Sequence, residues 1–145
     1  MKTDRYFFEL FCAPIVGLVL GFVAIIHPEI LRFIDSHVII TKSIDISFIV
    51  FGFLLTVLAL IVQSNLKFIK SKLYPRLVRY NKRIVFLSLF AGLYSLFYNS
   101  VISTVWLPEI MRFCIGIFIF LFVWIIIDLV IFIKVFYRLA EDGSV

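Results

Sequence analysis

The side chain best placed to do chemistry in this chain is Asp128, set in the run Ile125-Ile126-Ile127-Asp128-Leu129-Val130. A carboxylate in such surroundings costs several kcal/mol unless it is protonated, paired or wetted. Two roles fit it: a proton- or cation-responsive group, or member of a pore ring repeated around an oligomer axis, and an acid that ties its helix to a neighbour's hydroxyl or amide. No Lys or Arg inside the apolar runs offers itself as a partner.

A second polar feature is the row Ser88, Gly92, Ser95, Asn99 and Ser103, which falls on one helical face. Such a row either packs a helix closely against its neighbours or lines a water-filled path between subunits. His27, Glu29, Asp35 and His37 gather on one short connection, but their spacing matches no ligand pattern, so neither a metal nor another cofactor is expected. There is no glycine-rich phosphate loop, no His-Glu-x-x-His, no Gly-x-Ser-x-Gly and no second acid to form a carboxylate dyad. The chain does not read as an enzyme.

The elements that must position these residues follow from composition. Of 145 residues, 63% are hydrophobic and only 16% charged, and the mean hydropathy is +1.15, more apolar material than one small soluble core can bury. Hydrocarbon about 30 Å thick requires about 20 apolar helical residues. Four stretches meet that length or nearly do, at about 7–27, 46–66, 84–106 and 113–136. The expected fold is therefore an all-α bundle of four transmembrane helices, one membrane domain over 1–145 with no soluble domain. Trp106, Tyr98, Tyr74, Tyr80, Tyr137 and Tyr6 lie near the predicted span ends, as interfacial aromatic belts do. Trp124, inside the fourth span among phenylalanines, reads as core packing.

Basic residues near span ends stay on the cytoplasmic side, and here they divide unevenly. The connection at 65–83 carries Lys67, Lys70, Lys72, Arg76, Arg79, Lys82 and Arg83 with no acid, while the N-terminus adds Lys2 and Arg5 and the C-terminus Lys134 and Arg138. The other two connections hold only Arg32, Lys42 and Arg112. Both termini are thus expected in the cytoplasm. This topology sets Cys12 and Cys114 a bilayer apart, too far for a disulfide. Within 65–83, Leu66, Ile69, Leu73, Leu77 and Tyr80 alternate with the cations at near-helical spacing, so the segment reads as two short helical extensions meeting at Pro75. Its seven cations suit anionic headgroups, or an acidic cytosolic protein; nucleic acid would have to compete with the lipid surface.

Helices in lipid associate through small and polar stripes that allow close backbone approach. The first span offers Ala13, Gly17, Gly21 and Ala24, the second Gly52, Thr56, Ala59 and Gln63, and the third the serine row with Gly92. Gly17, Gly21, Gly52 and Gly92 are the expected packing glycines, and self-association is expected, with a tetramer as the guess.

The stretch Phe51-Gly52-Phe53-Leu54-Leu55-Thr56-Val57-Leu58-Ala59-Leu60-Ile61, followed by a basic linker through Tyr74 to Tyr80 and a third span, resembles small four-span membrane proteins of bacterial anti-phage loci. The Kiwa membrane component and the lambda-type Rex B protein are similar in size, span count and basic inner loop. The resemblance covers about the middle half of the chain and carries no residue roles. It implies a membrane subunit responding to infection: a homo-oligomeric sensor or scaffold that recruits a cytosolic partner through its basic loop. Two alternatives stay open, a pore-forming effector that depolarises the membrane through a path lined by Ser88, Ser95, Asn99 and Asp128, and a structural assembly factor of another membrane complex.

Overall fold

A computed structural model describes residues 2–27, 29, 36–63, 73–100 and 108–143. Among them the chain is all-helical, with four helices and no strands. They are α1 (Lys2–Ile26), α2 (Ser36–Gln63), α3 (Tyr74–Ser100) and α4 (Pro108–Gly143), of 25, 28, 27 and 36 residues. Each exceeds the about 20 residues that hydrocarbon requires. Within α4 the segment Glu109–Leu139 is long and apolar enough by itself to cross a membrane, with a mean hydropathy of 3.0 over its best window.

The helix starts follow local chemistry. Proline falls in the first turn of both α3 (Pro75) and α4 (Pro108), where its missing N–H has no helical acceptor to lose. Glu109 in the first turn of α4 faces the positive end of the helix dipole. Pro75 accordingly starts α3: of the two expected extensions, the second, from Tyr74 onward, belongs to an unbroken helix reaching Ser100, and the first, over 65–72, lies outside the described residues. Helix α2 likewise begins ten residues before the apolar window at 46, because 36–45 continues its helical register.

Three pairings organise the molecule: α1 on α4, α4 on α3, and α3 on α2. Each is antiparallel, since Gly17 meets Phe120 while Gly21 meets Gly116, Tyr94 meets Cys114 while Arg83 meets Asp128, and Gly92 meets Phe48 while Asn81 meets Leu54. The start of α1, the start of α3 and the end of α4 thus share one end of the molecule. The main core lies where α2, α3 and α4 meet, built on Leu54, Leu77, Ile84, Leu121, Ile125 and Phe132. A smaller cluster of Tyr98, Cys114 and Phe118 closes the opposite end.

The small-residue stripe of α1 is the face that packs, with Ala13, Gly17, Gly21 and Ala24 all buried. A Cβ on Gly17 would stand 2.8 Å from the carbonyl oxygen of Phe120, and one on Gly21 2.6 Å from that of Gly116. Gly116 is the reciprocal close approach on α4, and its partner stripe lay hidden among aromatics. Gly92 sits against the Phe48 ring, 3.3 Å from where a Cβ would be.

Helix α2 departs from expectation. Gly52, Thr56 and Ala59 face outward, and a Cβ on Gly52 would meet nothing within 4 Å. The packing face of α2 is instead Ser43, Ser47 and Leu54. Two small-residue rows compete on this helix, and the one that docks is the row opposite Gly92, where α3 allows close approach. The Thr56 hydroxyl is satisfied locally, donating to the Gly52 carbonyl at 3.0 Å. The aromatic belts also need correction, since Tyr80 and Tyr98 are 5% exposed and belong to the two cores.

Candidate functional site

Helix α3 is central, and its polar residues divide between its two neighbours. Residues two apart on a helix point about 200° apart, so Asn81 and Arg83 leave α3 on opposite sides. Asn81, fully buried, donates from Nδ2 to the Leu54 carbonyl of α2 at 3.3 Å. Arg83 reaches the other way, to α4. Its Nε donates to Oδ2 of Asp128 at 2.6 Å, and its Nη2 donates to Oδ1 of the same carboxylate. Both carboxylate oxygens are therefore engaged by one guanidinium, the geometry that makes Arg–carboxylate pairs strong and directional.

Burial around the pair is uneven: Asp128 is 0% exposed, whereas the Arg83 side chain is 19% exposed. The guanidinium carbon lies 5.1 Å from the Tyr80 ring centroid and 6.0 Å from that of Trp124, one turn before Asp128 on α4. Two aromatic rings thus flank the cation and displace the water that would screen it. Trp124 is a wall of this site, its ring tilted against that of Phe120 at 5.4 Å, rather than generic core.

The expectation that Asp128 lacks a cationic partner is overturned. Arg83 closes the basic run in the sequence and reads there as a headgroup contact, but the register of α3 on α4 brings it level with Asp128. Among the headgroup candidates, Arg79 and Lys82 are exposed and Arg76 is half-buried. Lys67, Lys70 and Lys72 lie outside the described residues.

The proposed polar path along α3 is likewise redistributed. Ser88 and Ser95 are 0% exposed and return their hydroxyls to their own helix, Ser88 to the Ile84 carbonyl and Ser95 to that of Ala91 at 2.8 Å. With Gly92 they form the seam against α2, inside the protomer rather than between subunits. Asn99 is half-buried near the end of α3, and Ser103 lies outside the described residues. Tyr94 ties the far end of the α3–α4 contact, its hydroxyl donating to the Cys114 carbonyl at 2.9 Å.

Among the described residues no group of three or more His, Cys, Asp or Glu is placed to hold a metal. Of the polar group at 27–37, His27 and Glu29 are exposed, while Asp35 and the His37 side chain lie outside what the structure describes. Cys12 and Cys114 are free thiols, half-buried and buried.

No known relative emerges. The chain has no significant match to any family model, curated protein or solved structure. What the arrangement can do must therefore be read from the site. The Arg83–Asp128 pair holds two helices in fixed register, neutralises the acid of the apolar helix, and shields its carboxylate from solvent within the protomer.

Proposed function

We propose that the protein is a four-span helical scaffold of a bacterial inner membrane, with both termini inside, that docks an acidic cytosolic protein on its basic inner end. The carrying observation is the enclosure of Asp128 by Arg83 beside the exposed Arg79 and Lys82. The acid that would serve a conduit is consumed in holding α3 to α4, whereas Arg79 and Lys82 lie exposed at the surface beside that pair. The scaffold reading therefore has more support than the pore reading.

Four crossings are supported by helix length, by the antiparallel order that gathers both termini and the start of α3 at one end, and by the apolar outer surface. Phe86 is 73% exposed, and Ile49, Phe53, Leu18 and Phe22 also face outward, as lipid-facing side chains must. The setting, an anti-phage locus in which a homo-oligomer, taken as a tetramer, signals infection to its partner, comes from the resemblance of the layout to the Kiwa membrane component and Rex B.

The test removes Lys67, Lys70, Lys72, Arg79 and Lys82 together as Gln, leaving Arg76 in place and Arg83 to hold Asp128. The scaffold reading predicts normal insertion and loss of protection against phage in plating assays. Retained protection overturns it. In planar bilayers the purified protein should stay silent; currents whose selectivity changes with Asp128→Asn would establish the pore reading instead.

A further inference from the structure

Where α3 begins and α4 ends, a cavity of about 570 Å³ opens between the two helices. Lys134 and Arg138, one turn apart and so on one face of α4, line it from one side. Arg76 lines it from the first turn of α3, whose N-terminus is the positive end of that helix's dipole. Among the described residues of the lining Glu141 is the one acid, which leaves them a formal charge of +2 from three cations and one carboxylate. Much of the remaining lining is apolar, with Ile131 and Ile133 preceding Lys134 along α4, on its Asp128 side.

We propose that this cleft is a binding site for the phosphate of an anionic phospholipid headgroup, with a two-phosphate headgroup the best match to its charge. The cleft lies at the Leu139 end of the segment Glu109–Leu139, where hydrocarbon gives way to headgroups. Its volume falls in the range of small-molecule sites, too narrow for a folded protein surface. Along α4 the apolar Ile131 and Ile133 precede the cations Lys134 and Arg138, the order in which a lipid presents acyl chain and then phosphate. Basic clefts between membrane helices on the cytoplasmic side recognise such headgroups. The site is separate from the exposed Arg79 and Lys82 surface, and its placement against lipid rests on the four-span reading.

Native mass spectrometry of the full-length protein in detergent micelles tests it, titrating diphosphatidylglycerol, phosphatidylglycerol and phosphatidylcholine. The expected result is saturable retention of one diphosphatidylglycerol per chain, weaker phosphatidylglycerol binding and no specific phosphatidylcholine adduct. Arg76→Gln, Lys134→Gln and Arg138→Gln should each weaken binding about fivefold and together about a hundredfold. Glu141→Gln should tighten it. The control pair Arg79→Gln and Lys82→Gln should change it less than about twofold, and Lys134→Arg should preserve it in a chain of unchanged helicity.

Equal losses in the control pair, or no saturable binding, would overturn the site. Displacement by inorganic phosphate in excess would assign the cleft to a soluble phosphate compound and overturn the lipid assignment. Micelle binding does not depend on membrane orientation, so a failed topology and a failed site give different results.

Discussion

Removing either partner of the Arg83–Asp128 pair should destabilise the protein, and removing both should restore much of what is lost. Breaking a buried pair from one side costs about 3–5 kcal/mol, whereas replacing both partners by apolar residues of similar volume is often neutral. The two single losses should be unequal. Arg83→Leu strands a carboxylate that is 0% exposed, with no solvent to turn to, and should cost the full amount. Asp128→Leu strands a guanidinium that is 19% exposed, flanked by Tyr80 and Trp124, on a long side chain able to reach for water. It should cost about 1–3 kcal/mol. Reversible unfolding of the four proteins in mixed micelles, followed by far-ultraviolet circular dichroism, closes the double-mutant cycle. A coupling of about 1.5 kcal/mol or more is expected, at the upper end of polar couplings measured between membrane helices. Coupling below about 0.5 kcal/mol, or a larger loss in Asp128→Leu than in Arg83→Leu, would refute the reasoning.

The glycines should divide by what their Cβ would meet. Gly21→Val should destabilise by about 2 kcal/mol or more in the same unfolding assay, because the side chain would collide with the Gly116 carbonyl. Gly52→Ala should be neutral or stabilising by up to about 1 kcal/mol, since that position is open and alanine restricts the unfolded chain. Asn81→Leu should cost about 1 kcal/mol through loss of its bond to the Leu54 carbonyl, and should add to Asp128→Leu without coupling, because the two ties lie on opposite sides of α3.

Local pattern carried the helices and one of the interfaces. The row Ala13, Gly17, Gly21 and Ala24 is the only small-residue stripe of α1, so spacing alone identified its packing face. On α2 spacing was ambiguous: Ser43 and Ser47 mark one face and Gly52, Thr56 and Ala59 another, and only the position of Gly92 on α3 decides between them. The ion pair was hidden for a related reason. Arg83 sits at the end of a run of cations, where its neighbours Arg79 and Lys82 do face outward, and nothing within the run distinguishes it. Its partner is 45 residues away, and the pairing depends on how α3 and α4 slide against each other. Asn81 was masked by the same basic run. An acid buried in an apolar helix nevertheless demands a cation or donor at its own depth, and Arg83 borders the third apolar run, so that demand was the signal from which the pair could have been found.

The proposed four-span topology fixes which positions face each side of the membrane. Single cysteines introduced by Glu29→Cys, Lys70→Cys, Glu109→Cys and Arg138→Cys, in a chain carrying Cys12→Ser and Cys114→Ala, can be probed in intact cells with a membrane-impermeant maleimide. Positions 29 and 109 should label from outside, and positions 70 and 138 only after the inner membrane is opened. Labelling of position 70 in sealed cells, or no labelling of position 29 or 109, would contradict the four-crossing arrangement.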